Sequence, residues 1–528
     1  MDKAANNWLT SLRKVCAPLL LVSAAVLALS PCISEAEPPW GSYAGDAQHQ
    51  AISQIASQPL DAILWQTPVD LAPQATDGEL FIHYGSPLVT SANTVIVPVK
   101  TGSATGFRVE AHRGIDGVVL WSQTTDYALP VPSAAWIPAY GPVLNDANRL
   151  YFPGAGGTVY YRDNPDSATV AGAGQLAFYN MTNYGANQTA FDDNVFINTP
   201  ITSDNAGNIY VGFQVNNSSA ATLDLHGGLA RIDSNGNGSW VEAGNLVPGM
   251  TKVSQNCAPA LSTDGSTLYV ALNDGSNGRL VKLNSSNLSL AASSGPLSQV
   301  IDISTASPTI GPDGDVYFGT NDGYHGRGVM NHFSADLTQI KTPGSFGWDD
   351  TASIVPSLLV PSYHGRSSYL LMVKYNDYAA IGGDGVNKLA ILDPNDLTQI
   401  DPVTGETVMK EILTVSGLTP DSEFPMLPDA VREWCINTAA IDPATHSVLA
   451  NSEDGKLYRW DLWTNTLTES ITLTSGIGEA YTPTLIGADG TVYAINNATL
   501  FAVGVPEPGL TLLGLSAGAL LLGISRPR

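Results

Sequence analysis

Charged residues are scarce in this sequence. They make up 13% of its 528 residues, and the 23 basic residues are far outnumbered by 48 acidic ones. The resulting formal charge of −25 argues against a nucleic-acid partner, because the duplex would repel the protein and no basic stripe compensates. Few charges, together with 51 glycines and 34 prolines, also argue against long surface helices. This composition predicts short strands joined by many turns.

Cysteine is also scarce, with four residues in the whole chain. Cys16 and Cys32 lie near the N-terminus, which leaves Cys257 and Cys435 in the rest of the chain. In an oxidising compartment these two could form a disulfide, or both could remain buried thiols. The sequence leaves both alternatives open, because spacing along the chain does not show whether the two side chains approach each other.

The first 36 residues have the three parts of a secretory signal. Arg13 and Lys14 form the basic part, an apolar stretch follows, and Ser34–Glu35–Ala36 supplies a small-x-small cleavage pattern. We therefore expect a signal helix within residues 1–36, cleavage after Ala36, and export of the remaining chain by the secretory route.

A short motif recurs eight times along the exported chain. Its copies start at Ser86, Gly141, Thr199, Ala258, Ser307, Ala352, Thr438 and Thr482. In "SPTIGPDGDVYFGT" (from Ser307) a short strand leads through an Asp-Gly turn into a strand of alternating β-branched and aromatic residues. Two more strand-like pieces follow each copy. Four antiparallel strands recurring at roughly 45–60 residues are typical of a β-propeller blade.

The number of strands predicts how the ring closes. The eighth copy has three strands and ends near Gly504, whereas "AILWQTPVD" (from Ala62) is a fourth strand with no blade before it. Pairing the two leaves no open sheet edge. We therefore predict an all-β, eight-bladed β-propeller over residues 37–504, closed by the N-terminal strand. A seven-bladed ring is the alternative if one divergent copy is not a blade.

These repeats resemble the pyrroloquinoline-quinone (PQQ)-type propeller repeats. The resemblance rests on "WGSYAGDAQHQA", "ILWQTP" and the "DGxVYxG" cores, and it spans roughly Trp40 to Gly504. That family includes quinone-dependent alcohol dehydrogenases and a non-enzymatic lipoprotein that scaffolds outer-membrane barrel assembly, so the resemblance implies a fold and no single activity. The dehydrogenases' adjacent-cysteine disulfide, calcium ligands and catalytic aspartate have no identifiable counterpart here. We therefore expect no cofactor and argue against PQQ, with calcium kept open.

The last 24 residues are similar to a PEP-CTERM sorting signal. Val505–Pro506–Glu507–Pro508 precedes the uncharged run Gly509–Ile524, and Arg526 and Arg528 lie at the end. As a helix the run would span about 24 Å, slightly short of a ~30 Å hydrocarbon core. A buried terminal helix is the alternative. The resemblance implies a transient inner-membrane helix within residues 505–528, cleavage near Pro508 by an exosortase, and delivery to the cell surface or extracellular matrix.

One turn resembles half of a calcium loop. Asp233, Asn235 and Asn237 alternate before Gly238, as in the first half of a D-x-N-x-N-G site. Gly244 stands where such a loop has its bidentate glutamate. A polar hairpin turn is therefore the favoured alternative.

Aromatic and acidic residues precede several of the predicted first strands, at one end of the central channel that we call the mouth. They are Tyr84, Tyr140, Trp348, Asp349, Asp350, Glu433, Trp434 and Tyr481. Flat rings beside carboxylates suit sugars, whose C–H faces stack while their hydroxyls form hydrogen bonds. The alternative is that the rings fill the blade tops.

No catalytic set emerges from these residues. The sequence therefore predicts an exported, non-catalytic propeller that binds polysaccharide or an envelope protein. The alternative is an extracellular hydrolase, lyase or quinone-type oxidoreductase with its site at the mouth.

Overall fold

The computed structural model describes residues 39–74, 84–102, 105–129, 140–218, 223–300, 302, 306–321, 327–376, 386–422, 424–434, 436–476 and 482–507. The predicted signal helix with Ala36 lies outside these ranges. So do Tyr481, Cys435, Pro508, the predicted membrane helix, Arg526 and Arg528. Within the described ranges no helix is long and apolar enough to cross a membrane.

The chain forms an eight-bladed β-propeller, which confirms the predicted fold. Each blade is an antiparallel sheet whose strands are counted here outward from the channel. Blades 1 to 4 contain Leu88–Val89, Thr94–Lys100, Thr105–Arg113 and Val119–Ala128; Val143–Leu144, Arg149–Pro153, Thr158–Asp163 and Ala173–Ala177; Thr202–Ser203, Ile209–Val215, Gly228–Ile232 and Gly238–Glu242; and Ala260–Leu261, Thr267–Asn273, Gly278–Asn284 and Leu290–Ser293.

Blades 5 to 8 complete the ring. They contain Thr309–Ile310, Val316–Thr320 and Val329–Phe333; Ser353–Pro356, Tyr369–Tyr375, Lys388–Asp393 and Lys410–Ser416; Ala440–Asp442, Ser447–Asn451, Lys456–Asp461 and Thr466–Thr472; and Leu485–Ile486, Val492–Asn496, Thr499–Gly504 and Ala62–Pro68. In blade 5 the segment after the third strand forms only isolated bridges, Phe333 with Ile340 and Met330 with Gly344.

The remaining described elements are short. The strands Val195–Ile197 and Lys252–Val253 pair with the second strands of blades 3 and 4 and belong to their sheets. The others are the paired strands Gln399–Ile400 and Thr407–Val408, the α-helices Met181–Ala186, Gln188–Asn194 and Ala243–Leu246, and the 3-10 turns Ala155–Gly157 and Ser357–Leu359.

The ring closes through the N-terminal strand, as predicted. Ala62–Pro68 pairs antiparallel with Thr499–Gly504, with Ala62 opposite Gly504 and Pro68 opposite Thr499. Trp65 packs into the junction with the next blade: its Nε1 donates to the Gly114 carbonyl at 2.6 Å, and its ring stacks on His112. The closing strand therefore joins blade 8 to blade 1 through side-chain packing as well as through the sheet.

A segment before the closing strand crosses the channel. We call residues 40–58 the channel segment. Its carbonyl groups accept hydrogen bonds of 2.8–3.0 Å from the first strands of blades 1, 2, 4, 5, 6 and 7 in order. The donors are the N–H groups of Val89, Leu144, Leu261, Ile310, Ile354 and Ile441. The inner edge of a first strand would otherwise present unpaired backbone groups to the channel, so this segment supplies partners in these six blades.

The two faces of the ring differ. First strands run away from the mouth, so the turns between first and second strands, and between third and fourth strands, lie on the opposite face, which we call the turn face. The channel segment enters on this side, where Gly41 and Asp46 border a cavity with Asp146 and Asp204 from the turns of blades 2 and 3.

We predict that Trp65→Ala destabilises the ring. Removing a large buried side chain from a packed junction costs about 3–5 kcal/mol, and the Gly114 carbonyl also loses the shorter of its two hydrogen bonds. The measurement is the urea concentration at the unfolding midpoint. Trp463→Ala is the matched control, because Trp463 is 60% exposed and its loss should change the free energy of unfolding by less than about 0.5 kcal/mol. Equal midpoints for the two variants would contradict a structural role for the closing strand.

Candidate functional site

A polar part of the mouth is built from blades 6 and 7. Asp349 and Asp350 lie just before the first strand of blade 6, and Asn437 lies just before that of blade 7. The second strand of blade 6 runs antiparallel to the first, so Lys374 near its end returns to the same level. We call these four residues the Asp–Lys cluster.

The Asp–Lys cluster is held by a buried set of polar contacts. Lys374 Nζ lies 3.9 Å from Asp349 Oδ2, and Asn437 Nδ2 donates to Asp349 Oδ1 at 3.4 Å. The backbone N–H of Lys374 donates to Asp350 Oδ2 at 3.1 Å. Asp350 Oδ1 has no hydrogen-bond partner among the described residues. Two carboxyl groups thus share one lysine in a site with 0–2% exposure.

Burial decides the protonation of this cluster. It raises the pKa of Asp350 to about 8, although the nearby Lys374 charge acts in the opposite direction. One aspartate can pair with the lysine while Asp350 keeps its proton at neutral pH, which leaves the cluster without net charge. This arrangement avoids the large cost of burying an unpaired charge.

Below the mouth, the channel segment fills the channel with two rings that the sequence analysis did not single out. The Tyr43 hydroxyl lies 3.0 Å from Thr351 Oγ1, and His49 Nδ1 donates to the Pro308 carbonyl at 2.7 Å. The two rings meet edge to face at 5.3 Å. Burial lowers the pKa of His49 to about 4, so the imidazole is neutral, and its Nε2 has no partner among the described residues. Both residues belong to "WGSYAGDAQHQA", a stretch that the sequence analysis used only to support the PQQ-type resemblance.

Most of the predicted aromatic residues prove to be packing residues. Tyr84, Tyr140 and Trp434 are buried. The Tyr84 hydroxyl donates to Asp70 Oδ2, Tyr140 stacks on Phe107, and Trp434 packs edge to face on Tyr458. These three rings offer no free face for a sugar, so this part of the prediction is corrected. Trp348 and Glu433 are partly exposed, and Tyr481 lies outside the described residues.

The half calcium loop folds as a turn held by its own carboxylate. Asp233 Oδ1 accepts the backbone N–H groups of Asn235 and Asn237, and Oδ2 accepts from Asn237 Nδ2. These hydrogen bonds lower the pKa of Asp233, led by that from the Asn237 side chain. The carboxylate oxygens therefore already have partners within the turn, as the hairpin alternative implies.

Cys257 is a free, buried thiol in the structure. Burial raises its pKa to about 12, so it stays protonated. Of the two alternatives left open by the sequence, this agrees with the free thiol for Cys257, and Cys435 lies outside the described residues.

Comparison with known proteins shows the fold. No protein-family model and no curated protein matches the sequence. Among solved structures, a europium-containing methanol dehydrogenase has a TM-score of 0.52 at 10% identity, over 86% of this chain and 89% of that one. A quinohemoprotein alcohol dehydrogenase from Comamonas testosteroni scores 0.51 at 10% identity, over 90% and 82% of the two chains. One from Pseudomonas putida HK5 scores 0.50 at 11% identity, over 89% and 76%. These likenesses show the β-propeller fold.

The expectation about cofactors is corrected by this comparison. We expected none, with calcium kept open, and argued against PQQ. The three solved structures named above are instead dehydrogenases whose names specify a metal, or a quinone and a haem. The absence of an adjacent-cysteine pair was therefore too weak a reason to expect a cofactor-free propeller. Sequence identities of 10–11% show that the fold is shared, but they do not show that this chain binds the same ligand.

We next ask whether the residues at the mouth could hold a metal or a quinone. Among the described residues no three His, Cys, Asp or Glu side chains are placed to hold a metal. Asp350 Oδ1 is an acceptor without a partner, and Lys374 is a nearby cation, so these two are the groups that could contact a polar cofactor. Both side chains are 0–2% exposed. In this arrangement they leave no open face for a planar quinone, so the described residues do not fit one as they stand.

We predict that Asp350→Asn flattens the dependence of stability on pH. The folded pKa of about 8 lies above the usual value of about 3.9. Between these values the folded state binds a proton that the unfolded state does not, so stability is lost as the pH rises from about 4 to about 8. An asparagine does not titrate. The variant should therefore lose less free energy of unfolding than the parent protein between pH 5 and pH 8, measured by urea denaturation.

The exposed residue Asp193 provides the control for this measurement. Asp193→Asn should keep the parent protein's pH dependence. Identical slopes for Asp350→Asn and the parent protein would show that Asp350 is ionised in the fold.

Proposed function

We propose that this chain is exported, is held briefly at the inner membrane by its C-terminal tail, and then acts as a non-catalytic binding module at the cell surface or in the extracellular matrix. The observation that carries the proposal is the position of the predicted sorting motif. Val505, Pro506 and Glu507 are exposed directly after the last strand of the ring. An exosortase could therefore reach the motif without unfolding a blade.

The ring would survive such a cut. The closing pair ends with Gly504 opposite Ala62, and Val505 adds one hydrogen bond from its N–H to Gln58 Oε1 at 2.7 Å. Cleavage after these residues removes no strand from blade 8. The released product would be a complete propeller, as a module that works away from the membrane requires.

Burial of the polar groups at the mouth favours a binding function over a catalytic one. A catalytic group must touch its substrate, but the Asp–Lys cluster is buried and the channel below it is filled by Tyr43 and His49. Trp348 and Glu433 remain partly exposed beside this buried layer. Partly exposed aromatic and carboxylate side chains at the same end of the channel suit a sugar, so we propose extracellular polysaccharide as the ligand and an envelope protein as the alternative partner.

One observation favours an enzyme instead. A buried carboxyl that keeps its proton beside a lysine is typical of sites that transfer protons. The Asp–Lys cluster has this chemistry in a fold matched by dehydrogenases. Product formation that disappears in Asp350→Asn would establish this second function and overturn the non-catalytic one.

We predict that tail processing depends on the motif. In a cell that contains an exosortase, the chain should lose its apolar tail, and the intact mass of the released protein should end within or next to residues 505–508. Replacing Pro506, Glu507 and Pro508 by alanine should leave the full tail and keep the protein in the membrane fraction. The folded ring should be unchanged, because these residues follow its last strand. Equal release of both forms would contradict processing at this motif.

We predict that Trp348 reports glycan binding. Titrating the protein with the producing cell's exopolysaccharide should give a saturable change in tryptophan fluorescence. Loss of one stacking ring costs roughly 0.5–1.5 kcal/mol beyond its area, so Trp348→Ala should weaken binding by up to about tenfold. Trp463→Ala, an exposed ring on the opposite face, should bind like the parent protein. A response that both variants share would locate binding away from the mouth.

A further inference from the structure

The C-terminal tail leaves the ring on the turn face, opposite the mouth. The third strand of blade 8 runs away from the mouth and ends at Gly504. Val505, Pro506 and Glu507 then line a cavity of about 680 Å³ together with turn residues of the adjoining blades. Those residues are Asn93, Ile115 and Asp116 of blade 1 and Asp489 and Thr491 of blade 8. The exit point is therefore fixed on this face by the body of the propeller.

Very little chain separates this exit from the apolar run. Pro508 alone stands between Glu507 and Gly509, where the uncharged run begins. An extended residue covers at most about 3.6 Å, so Glu507 lies within roughly 7 Å of the start of the run. A run held in the bilayer would bring the turn face against the membrane, because so short a tether cannot place the opposite face there.

The surface around the exit suits contact with lipid. Ile115 and Val118 of blade 1, Trp463 of blade 7 and Val505 are 44–60% exposed and belong to the turn face. Blades 1 and 7 are the two neighbours of blade 8, so these side chains flank the exit on both sides. We call them the apolar rim. Tryptophan and aliphatic side chains of this kind are enriched where proteins meet the headgroup region of a bilayer.

The charges on this face decide which lipid fits. Asp116, Asp461 and Asp489 lie in the turns beside the apolar rim, and Asp116 is paired with Arg113. An apolar surface with acidic neighbours fits a zwitterionic bilayer better than an anionic one, which would repel it. The mouth face also has exposed apolar residues, Leu418 and Met426, so the short tether and not apolarity alone selects the turn face.

We propose that the anchored propeller stands on the membrane with its turn face down. The apolar rim then lies in the headgroup region, and the mouth points away from the bilayer. This rests on the proposed membrane tail and adds an orientation to it. A ligand at the mouth could therefore be captured before the tail is cut, because the site already faces the exterior.

The test uses the full, unprocessed chain in phosphatidylcholine vesicles whose lipids are brominated near the headgroup end of their acyl chains. Flotation first shows whether the chain associates with the vesicles. Bromine quenches tryptophans that lie within or next to the bilayer. Trp463 of the apolar rim is 60% exposed and Trp348 at the mouth is partly exposed, so each can report on its own face, and phenylalanine at either position should leave the fold intact. We expect Trp463→Phe to lower the quenched fraction at least twofold, and Trp348→Phe to leave it unchanged.

Three other results would overturn the orientation. Quenching that is lost in Trp348→Phe but kept in Trp463→Phe would place the mouth against the membrane. Flotation with equal quenching in both variants and the parent protein would show that neither face is held down. A chain that does not float would contradict the membrane tail itself, which separates failure of the proposed function from failure of the orientation.

Discussion

The inner edges of the first strands set the main constraint on this propeller. Each is a short strand that pairs with its second strand on one side and faces the channel on the other. Backbone carbonyls of the channel segment accept hydrogen bonds from first-strand N–H groups, one blade after another. The donors are Val89, Leu144, Leu261, Ile310, Ile354 and Ile441. Unpaired buried amides are costly, so these hydrogen bonds stabilise the first strands of the six blades. The same stretch of chain also links those blades to one another. The closing strand follows directly, so the same N-terminal region fills the channel and completes blade 8.

The contents of the channel follow from this constraint. Tyr43 and His49 are carried into the channel by the segment's backbone, and Tyr43 reaches Thr351 next to the Asp–Lys cluster. The described mouth is thus a buried polar layer above buried rings, and accessible groups such as Trp348 and Glu433 lie beside it. A ligand would meet a partly exposed rim and not an open pore. The propeller's two ends also acquire separate roles, since the tail leaves from the turn face while the candidate ligand site lies at the mouth.

Some of the sequence-based expectations were wrong for identifiable physical reasons. Trp434 was read as a surface ring because it precedes a first strand. Its burial depends on Tyr458 and on Asn376, whose side chain binds the Trp434 backbone from the neighbouring blade. The cofactor expectation rested on three missing local features, namely the cysteine pair, the calcium ligands and the catalytic aspartate, whereas the fold comparison concerns the whole ring. The turn at Asp233, by contrast, is shaped by hydrogen bonds within five residues, which a local sequence pattern can encode.

The sequence by itself determined the blades, their number and the closure of the ring. Alternating strands and Asp-Gly turns are local patterns, and the unmatched strand at Ala62 had one free partner at Thr499. Only the tertiary structure decided how the mouth is built. Asp350 holds its proton because it is buried, although the Lys374 charge opposes this, and Tyr43 meets Thr351 across more than half of the chain. Burial and charge pairing of this kind arise from contacts between blades, so no local pattern of residues encodes them.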